Sequence, residues 1–369
     1  MKITFLLSIV FFSGLWFSCN KDKETNPEES GFSRKEMLAF YAEEQILPAI
    51  RNLNAENQIL KEKVNQFLAN PDSVKLKALQ AQWETSYGVW LQANAFNFGP
   101  AGEAGTEKSL WEEIGVFPAS KSKIDNILTT GSFNVNDFNR DARGFAAIEY
   151  LLFDPNQNTQ AVLEKFQNVN ARNYLLKLVE HLSGLVANVL QTWEGTYKAE
   201  FLNNNGTEVG SSTAMLYNEF VKSFEQIKNL KLGLPMGKRP GQTGSQPELA
   251  EAYYSGKSLK FIQLHFDAIE KIWIGKSFSS SAEEQGFKKY LMNVEGGPAL
   301  VGSTEMQIQK VKEAIQKIPA DKAFSEMVTA NQAELENLHT EMQKLTRFFK
   351  SDMSSVLGIA ITYSSGDGD

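Results

Sequence analysis

The chain has 369 residues, 42% of them hydrophobic and 22% charged, with a formal net charge of -7. That apolar content is enough for a sizeable core and excludes an intrinsically disordered chain. The acidic balance, with no long run of Lys or Arg, argues against nucleic acid as a partner.

Residues 1–18 read as an export signal. Lys2 gives the positive start, a predominantly apolar run reaches Phe17, and Ser18 places a small residue before Cys19, the single cysteine of the chain. The run is too short to span a bilayer. A lone cysteine at that place is read as the acceptor of a lipid, so that residues 19–32 become a polar tether and the membrane becomes a partner through acyl chains. The tether's opening, Asn20-Lys21-Asp22-Lys23-Glu24, resembles the surface-export signal of lipoproteins from the Bacteroidetes group. The expected location is therefore the bacterial cell envelope, at the outer membrane and exposed at the cell surface. With no cysteine left in the mature body, disulfides cannot stabilise it.

From Ser33 the apolar residues recur at helical spacing: Met37, Phe40, Tyr41, Ile50, Leu53, Leu60, Val64 and Phe67. Pro48 lacks a backbone donor and should bend this helix near Ile46-Leu47. Asp72 or Ser73 caps a second helix, on which Leu76, Leu79, Trp83, Tyr87, Trp90 and Leu91 form a heavy aromatic stripe. Gly99-Pro100 stops it. A long Gly- and Ser-rich connection follows, with helical turns near Leu110-Trp111 and Ile124-Leu128.

A helix starting at Asp137 or Asn139 then carries 143–153, an apolar run holding one carboxylate, Glu149, on the face of Ala146 and Leu152. Gly144 leaves the start of that run open to close approach. A buried carboxylate needs a partner, either a neighbouring cation such as Arg143 or a helix end.

Beyond Asp154-Pro155, Leu175, Leu178, Val179, Leu182, Val186, Val189, Trp193 and Tyr197 mark a long amphipathic helix that Asn203-Asn204-Asn205-Gly206 closes. Helices are expected over 215–230, from Ser258 past Trp273, over 304–318 and over 321–350. Between the first two lies a Gly- and Pro-rich basic loop, 233–247, placed to cover the face between two halves. The expected architecture is all-α, two helical-bundle-like halves packed together, with the first over 33–206 and the second over 207–369.

Several of these stretches resemble one family. Gly144-Phe145-Ala146-Ala147-Ile148-Glu149 resembles the central Gly-x-His-x-x-Glu motif of the imelysin-like proteins, with Ala146 at the His position. Tyr41-Ala42-x-x-x-Ile46-Leu47-Pro48, Trp83 with Ala95-Phe96-x-Phe98-Gly99-Pro100, and Tyr253-Tyr254-Ser255-Gly256-Lys257-Ser258-Leu259 match it elsewhere. So does the tail, an apolar Leu357-Gly358 segment ending in Asp367-Gly368-Asp369. The resemblance thus spans essentially the mature chain, and implies a peptidase label, a link to iron uptake, and the motif His and Glu as metal ligands or functional groups.

The residues bear unequally on those implications. A zinc peptidase needs several nitrogen or carboxylate ligands and an open position for water. The three histidines, His181, His265 and His339, form no His-Glu-x-x-His and lie far from Glu149 in sequence. Loss of the His at Ala146 removes a ligand outright from such a site, whereas an oxygen-rich site for a divalent or ferric cation could survive around Glu149. The acidic cluster Glu103, Glu107, Glu112 and Glu113 is a candidate source of further oxygens and, failing that, a solvated loop. No Gly-x-Ser-x-Gly elbow or Gly-rich phosphate loop is present.

The expectation is therefore a cell-envelope lipoprotein that binds a metal ion or small ligand in concert with an iron or metal transport system, without catalysis. Glu149, Arg143, Gly144 and Ala146 are the candidate ligand-binding residues, Glu149 the candidate metal ligand and Cys19 the lipidation site. The alternatives are a metallopeptidase recruiting a distant histidine and a structural surface lipoprotein.

Overall fold

The computed structural model describes residues 32–103, 108–281, 285–320 and 322–363; Cys19, Glu107 and the terminal Asp-Gly-Asp lie outside them. Among the described residues every regular element is helical, as expected. None of these helices is long and apolar enough to cross a membrane.

Helix α1 (34–69) runs from Arg34–Phe40 through a π-helical stretch, Tyr41–Ile46, into Leu47–Ala69. Pro48 widens the helix here and does not break it. Its missing N–H would leave the Glu44 carbonyl without a partner, and that carbonyl instead accepts the N–H of Phe278 at 3.0 Å. Helix α2 (Ser73–Ala93) begins on Asp72, whose carboxylate accepts the Lys75 N–H at 2.8 Å, and its aromatic stripe is buried throughout.

Next come α3 (Lys121–Thr130), α4 (Gly144–Leu152), α5 (Thr159–Lys165) and α6 (169–203), the last passing through a π-helical stretch at Trp193–Tyr197. The motif helix α4 starts at Gly144, not at Asp137 or Asn139. Residues 137–139 form a turn and Arg140–Ala142 a 3-10 turn, because Gly144 adopts a φ of +70° that no preceding helix could continue through. Helix α1 packs along both α2 and α6, and α6 also lies against α3 and α4.

The remaining elements are α7 (212–233), α8 (Ser258–Ile274), α9 (Phe287–Met292), α10 (Gly297–Gln316), α11 (Phe324–Thr329) and α12 (333–357). Helix α10 starts seven residues before Thr304. The helix expected over 321–350 is interrupted at 330–332, where Asn331 takes a φ of +48°. The basic loop 234–246 lies over α12, with Lys238 to Glu336 at 2.7 Å, and does not cover the face between the halves. That face is made by α2 against α8, by the first turn of α1 against α7, and by the turn 250–257 against α4.

Candidate functional site

The approach to the motif helix fixes what it can offer. Arg143, extended and 1% exposed, donates from Nη2 to Glu113 Oε1 at 2.9 Å and from Nη1 to the carbonyls of Val135 (2.6 Å) and Asp137 (3.1 Å). It therefore does not pair with Glu149. The cause lies in the next residue: a Cβ on Gly144 would stand 2.5 Å from the Ile114 carbonyl oxygen, so the chain turns hard against 111–115 and carries Arg143 to the opposite side. Ala146 is half-buried one turn ahead of Glu149.

Glu149 is 3% exposed and is held by the turn that follows Glu251. It accepts the Ser255 N–H at 2.7 Å, and the Ser255 hydroxyl, which donates to the Ala252 carbonyl, and the Tyr254 N–H stand close enough to favour its charged form. Burial pushes its carboxyl up to about 7, helped by the nearby charge of Glu251 and opposed by those donors. The turn is built for close approach, with Ala252 at a φ of +55°, Gly256 at +69°, and the Ser258 hydroxyl donating back to the Glu251 carbonyl.

Glu251, 2% exposed, is the hub of the same cluster. The Tyr87 hydroxyl donates to its Oε1 and Lys231 Nζ lies 2.9 Å from the same oxygen. Burial pulls the Lys231 ammonium below its usual range against the attraction of Glu251, and pushes the Tyr87 phenol well above its own. Rings of Trp83, Phe145 and Phe261 enclose Tyr87 at centroid separations of 5.4, 5.1 and 4.7 Å. Beyond Lys231, His265 is completely buried and shares a 2.8 Å hydrogen bond with Ser223 Oγ, whose hydroxyl donates to Asn94 Oδ1 at 2.6 Å. The imidazole Nε2 is therefore the donor and the ring is neutral. Burial, then the charge of Lys231, holds it well below the ordinary histidine range.

A metal at Glu149 can be tested against these contacts. Among the described residues no three His, Cys, Asp or Glu side chains converge on one point. Glu251 is the second carboxylate beside Glu149, and the ammonium of Lys231 already stands where a cation would balance it. His265 is turned to Ser223, and Ala146 offers no donor. Two acceptors of the cluster remain orphaned: Glu251 Oε2 and His265 Nδ1 have no hydrogen-bond partner among the described residues. One carboxylate oxygen and one imidazole nitrogen, with an ammonium beside the carboxylate and no third ligand among the described residues, do not make a first shell for zinc or iron, so these residues do not fit a resident catalytic metal.

Sequence reasoning singled out Glu149 and missed Lys231, Glu251 and Tyr87. The signal was available for the first two, which are single charges set between apolar neighbours, Leu230 and Leu232 in one case and Ala250 and Ala252 in the other.

A second polar group lies on the far side of α4. His181, on α6, places Nε2 2.8 Å from Glu113 Oε2, and Lys108 Nζ stands 3.8 Å from Glu113 Oε1 while donating to the Asp137 carbonyl at 2.6 Å. Burial, then the charge of Arg143, pulls the Lys108 ammonium down. Unlike the Glu149 cluster, this one opens into a cavity of about 500 Å³. Of the other acidic candidates, Glu112 pairs with Arg140 and Glu103 is exposed. His339 lies apart, under the basic loop, where burial and the charges of Lys238 and Lys228 lower it to about 4.

A helical fold built around a Gly-x-x-x-x-Glu helix that is locked to an aromatic-Ser-Gly turn defines an imelysin-like protein. The chain belongs to the imelysin family, whose model matches residues 46–348. Its relatives include iron-regulated protein A of Synechococcus elongatus, 18% identical over 289 residues that cover 76% of this chain and 74% of that protein. Two solved structures share the fold. A protein of Parabacteroides distasonis assigned as an iron-regulated protein A precursor superposes with a TM-score of 0.72 at 17% identity, covering 88% of this chain and 95% of its own. An imelysin-like protein of Psychrobacter arcticus gives 0.69 at 15% identity, covering 91% and 98%.

Proposed function

We propose that this protein is a lipoprotein of the bacterial cell envelope that serves iron uptake by binding a small ligand, without catalysis. The observation that carries the reading is the state of the motif centre. Ala146 stands where the motif has His, and Glu149 spends its carboxylate on the 254–255 turn. The neighbouring Glu251 is balanced by an ammonium of the chain itself. Such a cluster positions two halves of a molecule; it lacks the open coordination position that metal-assisted hydrolysis needs. The iron-related relatives support the physiological setting. Cys19, acylated, would hold the protein at the outer membrane, where a transport system is its partner.

A strain of the source organism deleted for this gene should grow poorly only when iron is limiting, and the wild-type gene should restore growth where Cys19→Ala does not. Normal growth of the deletion strain under iron limitation would refute the setting. Purified protein should not cleave casein. Calorimetric titration with ferrous, ferric, zinc and calcium ions should give no heat that Glu149→Gln removes; a stoichiometric heat lost in that variant would restore a metal at Glu149.

A further inference from the structure

We infer that the groove between α2, α8 and α10 is a binding site for an apolar α-amino acid, held by its two charges along α8 and by its side chain on the groove floor. This inference deepens the small-ligand reading and rests on it. The groove encloses about 340 Å³, room for a compact metabolite. Leu264, Ala268 and Ile274 supply an apolar floor, and the charges on the walls come from α8, from Lys276 just beyond it and from Lys312 on α10.

The spacing on α8 sets the recognition. Leu264, Asp267, Lys271 and Ile274 step by three and four, so they share one face of the helix, and that face lines the groove. An acid four residues ahead of a lysine is well placed to pair with it along a helix. That pair is not made here. The Lys271 ammonium lies over the Phe278 ring, 5.6 Å from its centroid, and Asp267 takes no hydrogen bond or ion pair from any described residue. The neighbouring Glu270 is engaged, with both of its oxygens 2.9 Å from Lys312 Nζ. Asp267 is thus partly buried and uncommitted. Burial, then the charge of Glu270, pushes its carboxyl up against the pull of Lys312 and Lys271.

A carboxylate and an ammonium one turn apart, each with hydrogen-bonding capacity to spare, ask for a ligand that carries both signs close together. A lone cation would meet Lys271 and Lys276 beside Asp267, and a lone anion would meet Asp267 beside the lysines. An α-amino acid answers both, its ammonium on Asp267 and its carboxylate on Lys271. Its side chain then covers Leu264, Ala268 and Ile274 and gains by leaving water.

L-Leucine is the probe, with isocaproate lacking its ammonium, isoamylamine lacking its carboxylate and glycine lacking its side chain. Isothermal titration of the purified protein should show one saturable leucine site, with each analogue weaker by about tenfold or more. Asp267→Asn should weaken leucine about tenfold and leave isocaproate unchanged, and Lys271→Met should weaken leucine by about as much and leave isoamylamine unchanged. Both side chains reach solvent, so melting temperatures close to that of the wild type should verify that the variants fold, and the analogue series on the wild type tests the site by itself. No saturable leucine heat, glycine as tight as leucine, or leucine binding indifferent to Asp267→Asn would each overturn the assignment and leave the groove an ordinary solvated surface. An iron-limited growth defect without leucine binding removes this site and keeps the iron reading; leucine binding without a growth defect does the reverse.

Discussion

The two faces of the motif helix carry the same kinds of residue and have opposite character. On one, Glu149, Glu251, Lys231, Tyr87 and His265 form a cluster in which none of these side chains is more than about 3% exposed. On the other, Glu113, His181 and Lys108 line a cavity open to solvent. Carboxylates, a lysine and a histidine occur in both. Depth makes the difference: in the sealed cluster an unbalanced charge has no water to turn to, so each group is committed to a neighbour and the cluster acts as a fastener between the halves. In the open one, water can take the place of a lost partner, so no single contact is indispensable.

That contrast can be broken most severely at Lys231. Lys231→Met leaves Glu251 buried without its counter-ion and should lower the unfolding free energy by about 3–5 kcal/mol, measured by urea denaturation. Adding Glu251→Leu should return most of the loss. A single-variant cost as small as that of a surface ion pair would show that the cluster is wet. Gly144→Ala comes next, since the φ of +70° and the Ile114 carbonyl at 2.5 Å both oppose a Cβ. The strain alone is worth about 1–3 kcal/mol, read from the same urea denaturation. Lys108→Met, removing the same charge from the open side, should cost about 1 kcal/mol, its main loss being one hydrogen bond to the Asp137 carbonyl. If it costs as much as Lys231→Met, the two faces do not differ. Smallest is Asn188→Trp on the rim of the cavity beside His181, whose effect on stability should stay within about 0.5 kcal/mol.

The helices were legible because their apolar residues repeat at 3.6-residue spacing, and the burial of Glu149 because a single carboxylate interrupts such a run. Its partner was not. Arg143 is six residues away and looked sufficient, but the φ at Gly144 sends it to Glu113, and that sign cannot be read from a glycine in sequence. The true donors, the N–H groups of 254–255, are main-chain atoms more than a hundred residues distant, which side-chain types cannot announce. Tyr87 was hidden for another reason. It belongs to an aromatic stripe that is core in every respect except for one hydroxyl, and only the arrival of Glu251 gives that hydroxyl a role. His181 and Glu113 sit on a regular helix and an irregular segment whose approach no local pattern encodes.

The pH dependence of stability, compared between wild type and Glu149→Gln, tests the sealed state most directly. A carboxyl raised from its ordinary 4.5 to about 7 binds a proton more tightly in the folded than in the unfolded chain, so its contribution is complete at low pH and is lost as pH rises through that interval. Urea denaturation from pH 4.5 to pH 8 should therefore show Glu149→Gln gaining about 3 kcal/mol on wild type between the two ends, with most of the change complete by pH 7.5. Parallel curves for the two proteins would mean that Glu149 titrates as an ordinary solvated carboxylate, and the sealed centre would not exist.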